Sequence, residues 1–133
     1  MEITAFYPVI QCKDLEAALK AYEAMGFERK HTIENFALKT HVLELNGNRV
    51  DIFSFKTEME MFDMSDGFYC MRVNVRDFEK GVEFCEARGY KLLMDPFEND
   101  FMRGGILGDK EGRKIFLYNH FREEEREARA AQQ

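Results

Sequence analysis

The chain has 133 residues, of which 45% are hydrophobic and 33% charged, and its formal net charge is −6. This composition is ordinary for a globular protein and excludes a disordered chain. The length fits one domain that removes roughly two thirds of its surface from water on folding. The negative charge disfavours nucleic acid backbones and anionic lipid surfaces, so we expect neither as a partner.

The cysteine pattern and the start of the chain bear on the cellular compartment. The three cysteines are an odd number and contain no C-x-x-C pair, so they predict no disulfide framework. The first residues lack a basic segment followed by an apolar run, and no apolar stretch is long enough to cross a bilayer. These features predict a cytoplasmic protein with no signal peptide.

The first half of the chain predicts a strand, a helix and three more strands. An apolar run over Ile3–Cys12 is followed by Asp14, whose carboxylate is suited to cap a helix. Apolar residues then recur at helical spacing until Gly26, which is suited to end that helix. Three further strands are predicted, with Asn46-Gly47 as a hairpin turn, at about Phe27–Ile33, Leu38–Leu45 and Arg49–Phe55.

The second half repeats this pattern in register. Gly89 lies twelve residues after Asp77, as Gly26 lies after Asp14, and an aromatic residue follows each glycine. Such self-similarity indicates two copies of one structural unit. The predicted strands are, in order, about Phe68–Val75, Tyr90–Met94, Met102–Leu107 and Lys114–Asn119, with a turn at Lys110-Glu111-Gly112.

Together these elements predict one α+β domain over residues 1–133. Module one covers about 3–55, a linker covers 56–66, module two covers about 67–119, and a polar C-terminal helix covers about 121–132. In that helix Glu125 and Arg129 have the spacing of an ion pair. The linker carries methionines that would suit either an adaptable apolar flap or plain packing, namely Met59, Met61 and Met64.

The order βαβββ-βαβββ, with an acidic cap before each helix and glycine-aromatic after it, resembles the vicinal oxygen chelate superfamily. That superfamily contains glyoxalase I, bleomycin-resistance proteins and extradiol dioxygenases, and the resemblance covers residues 3–119. It implies two tandem modules forming a curved mixed-sheet cup. Because one fold hosts many chemistries, the resemblance implies little about the reaction.

The resemblance also implies that the first and last strands of each module line the cup. Alternation along those strands then selects the residues that point away from the helices. The predicted ligand-binding residues are Tyr7, Gln11, Asp51, Phe53, Phe55, Cys70, Arg72, Asn74, Phe116 and Tyr118. Four of them are aromatic residues on the last strand of each module, namely Phe53, Phe55, Phe116 and Tyr118. These rings are predicted to form the wall of a cavity, and Arg72 is predicted to project into that cavity.

Metal enzymes of the superfamily would hold their ion at four of these positions. In this sequence the four are occupied by Tyr7, Asp51, Cys70 and Phe116. A phenyl ring cannot ligate, a neutral tyrosine is a poor ligand, and a thiolate beside a carboxylate is an incomplete set. We therefore predict no metal and no other cofactor.

Several of these residues also have purely structural interpretations. Asp51 could be a solvated carboxylate at a strand end, or the partner of Arg72. Cys70 suits a small buried hydrophobe better than a nucleophile. His31 and His41, on middle strands, are interpreted as surface or packing residues because no ligand spacing connects them.

The sequence thus favours a metal-independent protein that binds a small organic molecule in an aromatic cup. A glyoxalase-like lyase or isomerase that uses Cys70, Asp51 or an atypical metal is the first alternative, and no catalytic residue is assigned. A regulatory or assembly module with a vestigial cup is the second. A homodimer is expected, since twofold assemblies are the commonest oligomers.

Overall fold

A computed structural model describes residues 1–56 and 66–132. The chain divides into two compact units, Tyr7–Cys70 and a second made of Met1–Phe6 with Met71–Gln133. The linker methionines Met59, Met61 and Met64 lie outside the described residues, so neither a flap nor plain packing is tested there. No helix in the described part of the chain has the length and apolarity to span a bilayer.

Module one has the predicted order of elements. They are β1 (Ile3–Gln11), α1 (Leu15–Ala24), β2 (Glu28–Glu34), β3 (Leu38–Leu45) and β4 (Asn48–Phe55). β1 runs parallel to β4, and β4, β3 and β2 follow as antiparallel neighbours. The hairpin between β3 and β4 turns on Asn46 and Gly47, which have φ angles of 53° and 80°, as the two-residue turn requires.

Module two repeats the arrangement with shorter middle strands. Its elements are β5 (Gly67–Val75), α2 (Phe78–Glu86), β6 (Lys91–Leu92), β7 (Phe97–Glu98), β8 (Met102–Gly108) and β9 (Lys114–His120). β5 pairs in parallel with β9, β9 pairs with β8, and β8 pairs with both β6 and β7. The polar helix α3 (Glu123–Ala131) follows.

The predicted strand Tyr90–Met94 is wrong in extent. Only Lys91 and Leu92 form β6, and a second short strand, β7, starts at Phe97. Pro96 lies between the two, and a proline cannot donate a hydrogen bond to a sheet ladder, so pairing with β8 is interrupted there.

Both helices begin and end as the repeat predicts. The carboxylates of Asp14 and Asp77 accept hydrogen bonds from the backbone N–H groups of Ala17 and Lys80, at 3.0 and 3.1 Å. Gly26, just beyond α1, has a φ angle of 107°, which residues with a side chain rarely adopt. These local signals explain why the helices were placed correctly from the sequence.

Each module packs its helix on one face of its own sheet. In module one the core side chains are Cys12, Leu15, Leu19, Leu43, Val50 and Ile52. In module two they are Val73, Val75, Phe78, Val82, Cys85, Leu107 and Leu117. Burial of these apolar side chains is what stabilises each module. Since the faces of a strand alternate, the neighbours of these residues point away from the helix, and they include the predicted site.

The predicted α+β class, with two tandem βαβββ modules and a short C-terminal helix, is therefore confirmed. The expected pairing of Glu125 with Arg129 in α3 is wrong. Glu125 instead accepts a hydrogen bond from Arg122, and Arg129 pairs with Glu98.

Candidate functional site

Six predicted site residues lie in the unit Tyr7–Cys70, and four lie in the other unit. In the first, β4 directs Arg49, Asp51 and Phe53 away from α1, while Val50 and Ile52 enter the core. Asp51 is only 2% exposed. The interpretation of Asp51 as a solvated strand-end carboxylate is therefore wrong.

Arg49 holds the Asp51 carboxylate through two parallel hydrogen bonds. Arg49 Nε lies 2.9 Å from Asp51 Oδ1, and Nη2 lies 3.1 Å from Oδ2. The guanidinium carbon of Arg49 also lies 4.0 Å from the ring centroid of Tyr7. A buried carboxylate needs such a charged partner, because desolvation alone would disfavour its ionised form. The site thus contains a layered cluster of tyrosine, arginine and aspartate.

An aromatic group lies beside this cluster in the same unit. The Phe53 ring packs edge-on against Phe55 and Tyr69, with centroid separations of 5.3 and 5.1 Å. Burial raises the pKa of the Tyr69 hydroxyl, and the nearby Cys70 thiol acts in the same direction. Gln11, paired in register with Phe53, is buried. Tyr69 was not singled out from the sequence.

Cys70 is also buried, at 3% exposure. This agrees with its interpretation as a small buried hydrophobe, since a nucleophilic thiol is usually accessible and near a group that favours the thiolate.

In module two, Arg72 lies over an aromatic wall. Its guanidinium carbon is 4.5 Å from the Phe116 ring centroid and 4.7 Å from that of Tyr118. The parallel register of β5 and β9 pairs Arg72 with Phe116, which brings these side chains to the same face. Phe97 extends the wall, with its ring 5.8 Å from that of Phe116. Stacking of this kind fixes the plane of a guanidinium.

Asn74 has a connecting role at the end of this face. Its Oδ1 accepts a hydrogen bond from the His120 backbone N–H at 2.9 Å, and its Nδ2 donates to Thr4 Oγ1 at 2.8 Å. The amide therefore joins β5 to the end of β9 and to the first residues of the chain. This use of the side chain was not predicted.

A glycine allows the aromatic wall to pack closely. A Cβ atom added at Gly104 would lie 3.0 Å from Tyr118 Cβ, 3.1 Å from the Leu117 carbonyl oxygen and 3.2 Å from Phe97 Cζ. Two of these neighbours are backbone or the first atom of a side chain, so they cannot move independently of the strand. Gly104 therefore leaves the space over β8 that the Phe97 and Tyr118 side chains occupy.

The two histidines behave as packing and surface residues. His41 is 1% exposed, its Nε2 lies 3.0 Å from Glu16 Oε1, and its Nδ1 lies 2.9 Å from Thr32 Oγ1. His31 is exposed on β2. His41 points to the helix side of its sheet, away from the predicted ligand-binding face.

The side chains present do not fit a divalent metal ion. Both oxygens of Asp51 are bonded to Arg49, the Tyr7 ring stacks on that arginine, and Phe116 carries no donor atom. A hard cation needs several oxygen or nitrogen donors around one point. Among residues 1–56 and 66–132, no three His, Cys, Asp or Glu side chains are grouped closely enough to hold one.

A family model for the glyoxalase/bleomycin resistance protein/dioxygenase superfamily matches residues 4–115. The chain belongs to this superfamily. Comparison with curated proteins found no match.

Solved structures share the superfamily fold at low sequence identity. Methylmalonyl-CoA epimerase from Mycobacterium tuberculosis is 16% identical, with a TM-score of 0.73 and 90% of each chain covered. Methylmalonyl-CoA epimerase from Streptomyces coelicolor is 21% identical, with a TM-score of 0.67 and coverage of 90% of this chain and 96% of that one. A superfamily member from Vibrio splendidus is 17% identical, with a TM-score of 0.61 and coverages of 86% and 97%.

Arg49 is the main site residue that sequence reasoning missed. A signal was present, because Arg49 and Asp51 are two residues apart on one strand and so share a face. Gly104 gave a weaker signal, since a glycine inside a strand often marks a close approach.

Proposed function

We propose that this superfamily member binds a small organic molecule without a metal ion, and that Arg72 orients the ligand. The observation that carries the proposal is the position of the Arg72 guanidinium over Phe116 and Tyr118. Small-molecule sites combine apolar walls with a few well-placed polar groups. A planar guanidinium suits a carboxylate or another planar anion, which it can hold by two parallel hydrogen bonds.

Metal independence is supported by the Arg49–Asp51 pair. A guanidinium bonded to both carboxylate oxygens already balances the buried negative charge that a metal would otherwise neutralise. Binding a divalent ion there would require breaking both hydrogen bonds and displacing Arg49 from Tyr7. The remaining donor, Cys70, is soft and buried and would not compensate for that loss.

A second candidate is an isomerase or lyase, favoured by the structural likeness to two methylmalonyl-CoA epimerases. Such a reaction needs a group that exchanges a proton with substrate carbon. The candidates predicted from sequence, Asp51 and Cys70, are respectively ion-paired and buried. Deuterium incorporation into methylmalonyl-CoA, catalysed by the protein in heavy water, would support this alternative. A regulatory or assembly role is favoured if no ligand binds.

The proposed function is tested by a thermal-shift screen of small carboxylic acids and other metabolites, followed by calorimetry on any hit. A ligand that binds the folded state must raise its melting temperature. Arg72→Ala should then weaken binding by about 1.5–3 kcal/mol, the range for a hydrogen bond to a charged group. Phe116→Ala should weaken it through lost apolar contact.

Arg88→Ala is the matched control for Arg72→Ala. Arg88 is also stacked on an aromatic ring, that of Phe84, but it lies in the turn just after α2. Its removal should leave affinity unchanged. Arg72→Lys separates charge from planarity, since lysine keeps the charge but not the paired donors. Parental affinity in both Arg72→Ala and Phe116→Ala would locate the ligand elsewhere.

We further propose a cytoplasmic homodimer. The three cysteines are free, which suits a reducing compartment. Several large apolar side chains are exposed and would be available to an interface between two copies, among them Phe6, Phe36 and Phe68.

A further inference from the structure

The C-terminal helix α3 contains no buried residue. By contrast, α2 of the same unit buries Phe78, Gly81, Val82 and Cys85. A helix without an apolar face against its neighbours lacks the main source of helix stability in proteins. Something other than apolar burial therefore holds α3 in position.

Two arginines of α3 contact other parts of its unit. Arg129 Nη2 lies 2.6 Å from Glu98 Oε2, and the Arg129 guanidinium carbon lies 4.3 Å from the Phe121 ring centroid. The guanidinium carbon of Arg126 lies 4.6 Å from the Phe101 ring centroid. The ion pair is about 40% exposed on both sides. Exposed pairs of this kind are weak and are screened by salt.

Open space adjoins α3. A cavity of about 370 Å³ lies between the ends of β5 and β9 and the start of α3, where it is lined by Asn74, Tyr118, His120, Arg122 and Glu125. A second cavity of about 240 Å³ is lined by Asp100 and by Arg126, Arg129 and Ala130 of α3. Both cavities are open to solvent, so α3 borders open space on these sides.

The larger cavity, which we call the strand-end groove, is lined in part by the carboxylate of Glu125. Glu125 Oε1 accepts a hydrogen bond from Arg122 Nε at 2.8 Å. Hydrogen bonding to Arg122 holds the pKa of Glu125 below its usual value, and the charge of Arg76 contributes in the same direction. Tyr118 lines this groove and also carries Arg72 on its ring. The groove thus adjoins the proposed ligand-orienting residue.

We propose that α3 is a displaceable lid on the strand-end groove, held by arginine contacts and carrying Glu125 as an internal stand-in for a ligand carboxylate. Salt opens the lid by screening the arginine contacts. A carboxylate ligand that replaces Glu125 at Arg122 weakens the capping of the first turn of α3, because both residues belong to that turn, and so favours opening. The statement that the competing ligand carries a carboxylate rests on the proposed function, whereas the lid itself does not. The family match ends at residue 115, before α3 begins.

A fluorescent reporter in the full-length chain tests the lid directly. The chain contains no tryptophan, so Phe101→Trp introduces a single reporter beneath Arg126. Acrylamide quenching is measured at low salt and at about 0.5 M salt, where charges more than a few ångströms apart are screened. We expect quenching to rise roughly twofold with salt. Arg129→Gln in the same background should give the high value already at low salt.

Lys80→Gln, on the exposed face of α2, is the control and should leave both values unchanged. Quenching that depends neither on salt nor on Arg129 overturns the proposal.

Hydrogen exchange of the unmodified chain gives a second test. Salt should accelerate exchange in residues 123–131, which form α3, and not in residues 78–86, which form α2. Equal responses of the two helices overturn the proposal that α3 is a lid. Neither test needs a ligand. The lid proposal can therefore be contradicted while ligand binding through Arg72 is supported, and ligand binding can be contradicted while the lid is supported.

Discussion

Arg49 and Asp51 form a two-bond ion pair on one strand, with distances of 2.9 and 3.1 Å. The carboxylate is almost fully buried, whereas the arginine side chain is 38% exposed. Arg49 therefore balances the buried charge of Asp51 while its own side chain remains partly exposed to solvent. We expect Arg49 to stabilise the fold as well as to belong to the candidate site.

Arg49→Met should lower the free energy of unfolding by about 2 kcal/mol, because it leaves a buried carboxylate without its charged partner. The double variant Arg49→Met with Asp51→Asn should recover part of that loss, since the buried charge is removed too. Urea denaturation measures both. Arg29→Met, an exposed arginine on β2, serves as the control. A loss no larger than the control's would mean that the pair contributes nothing measurable.

Purified protein should contain no stoichiometric divalent ion, and chelator should not change its melting temperature. The reason is the donor set, in which Arg49 takes both Asp51 oxygens and Phe116 offers no ligand. Elemental analysis finding about one zinc, nickel or iron per chain would contradict this.

Glu16 should contribute to stability only above its ordinary pKa. The hydrogen bond to His41 lowers the pKa of the Glu16 carboxyl below its usual 4.5, and Lys39 adds to the shift. A lowered pKa in the folded state means stabilisation that is present above the unfolded value and lost as pH falls through the folded value. The urea midpoints of the parent and Glu16→Gln should therefore differ near neutral pH and converge as pH falls through the lowered pKa of the folded state. Glu23→Gln, exposed on the same helix, should show no such convergence.

Gly104→Ala and Gly105→Ala should distinguish the effect of crowding the aromatic wall from the effect of crowding the core. A Cβ at Gly104 presses on Tyr118 and on the backbone, whereas one at Gly105 meets Leu92 Cδ2 at 3.2 Å and Phe78 Cζ at 3.4 Å. We expect both variants to lose about 1–3 kcal/mol of stability through overpacking. Only Gly104→Ala should also weaken ligand binding, measured by calorimetry. Equal affinities in the two variants would argue against the wall as the binding face.

Light scattering should give the mass of a dimer, about twice the 15.7 kDa of the chain. Phe36 is 93% exposed and is the first apolar residue to replace in locating the interface. Phe36→Ser should shift the equilibrium toward monomer if β2 and β3 take part. Monomer mass over a wide concentration range would exclude the dimer.

The sequence by itself determined the elements and their faces. Asp14 and Asp77 fix helix starts, and Gly26 ends α1 in a conformation that other residues avoid, because these signals act within a few residues. Strand alternation placed Asp51 and Arg72 on the faces opposite the helices for the same local reason. The polar composition of the C-terminal segment likewise predicted a polar helix there.

Only the tertiary structure decided which side chains meet. Arg49 pairs with Asp51 beneath the ring of Tyr7, which another strand supplies, and Arg72 stacks on Phe116 because β5 and β9 align in parallel register. Arg129 pairs with Glu98, 31 residues away, although Glu125 has the favourable local spacing. Charged side chains are long and exposed pairs differ little in free energy, so three-dimensional proximity selects among partners that sequence spacing leaves equivalent.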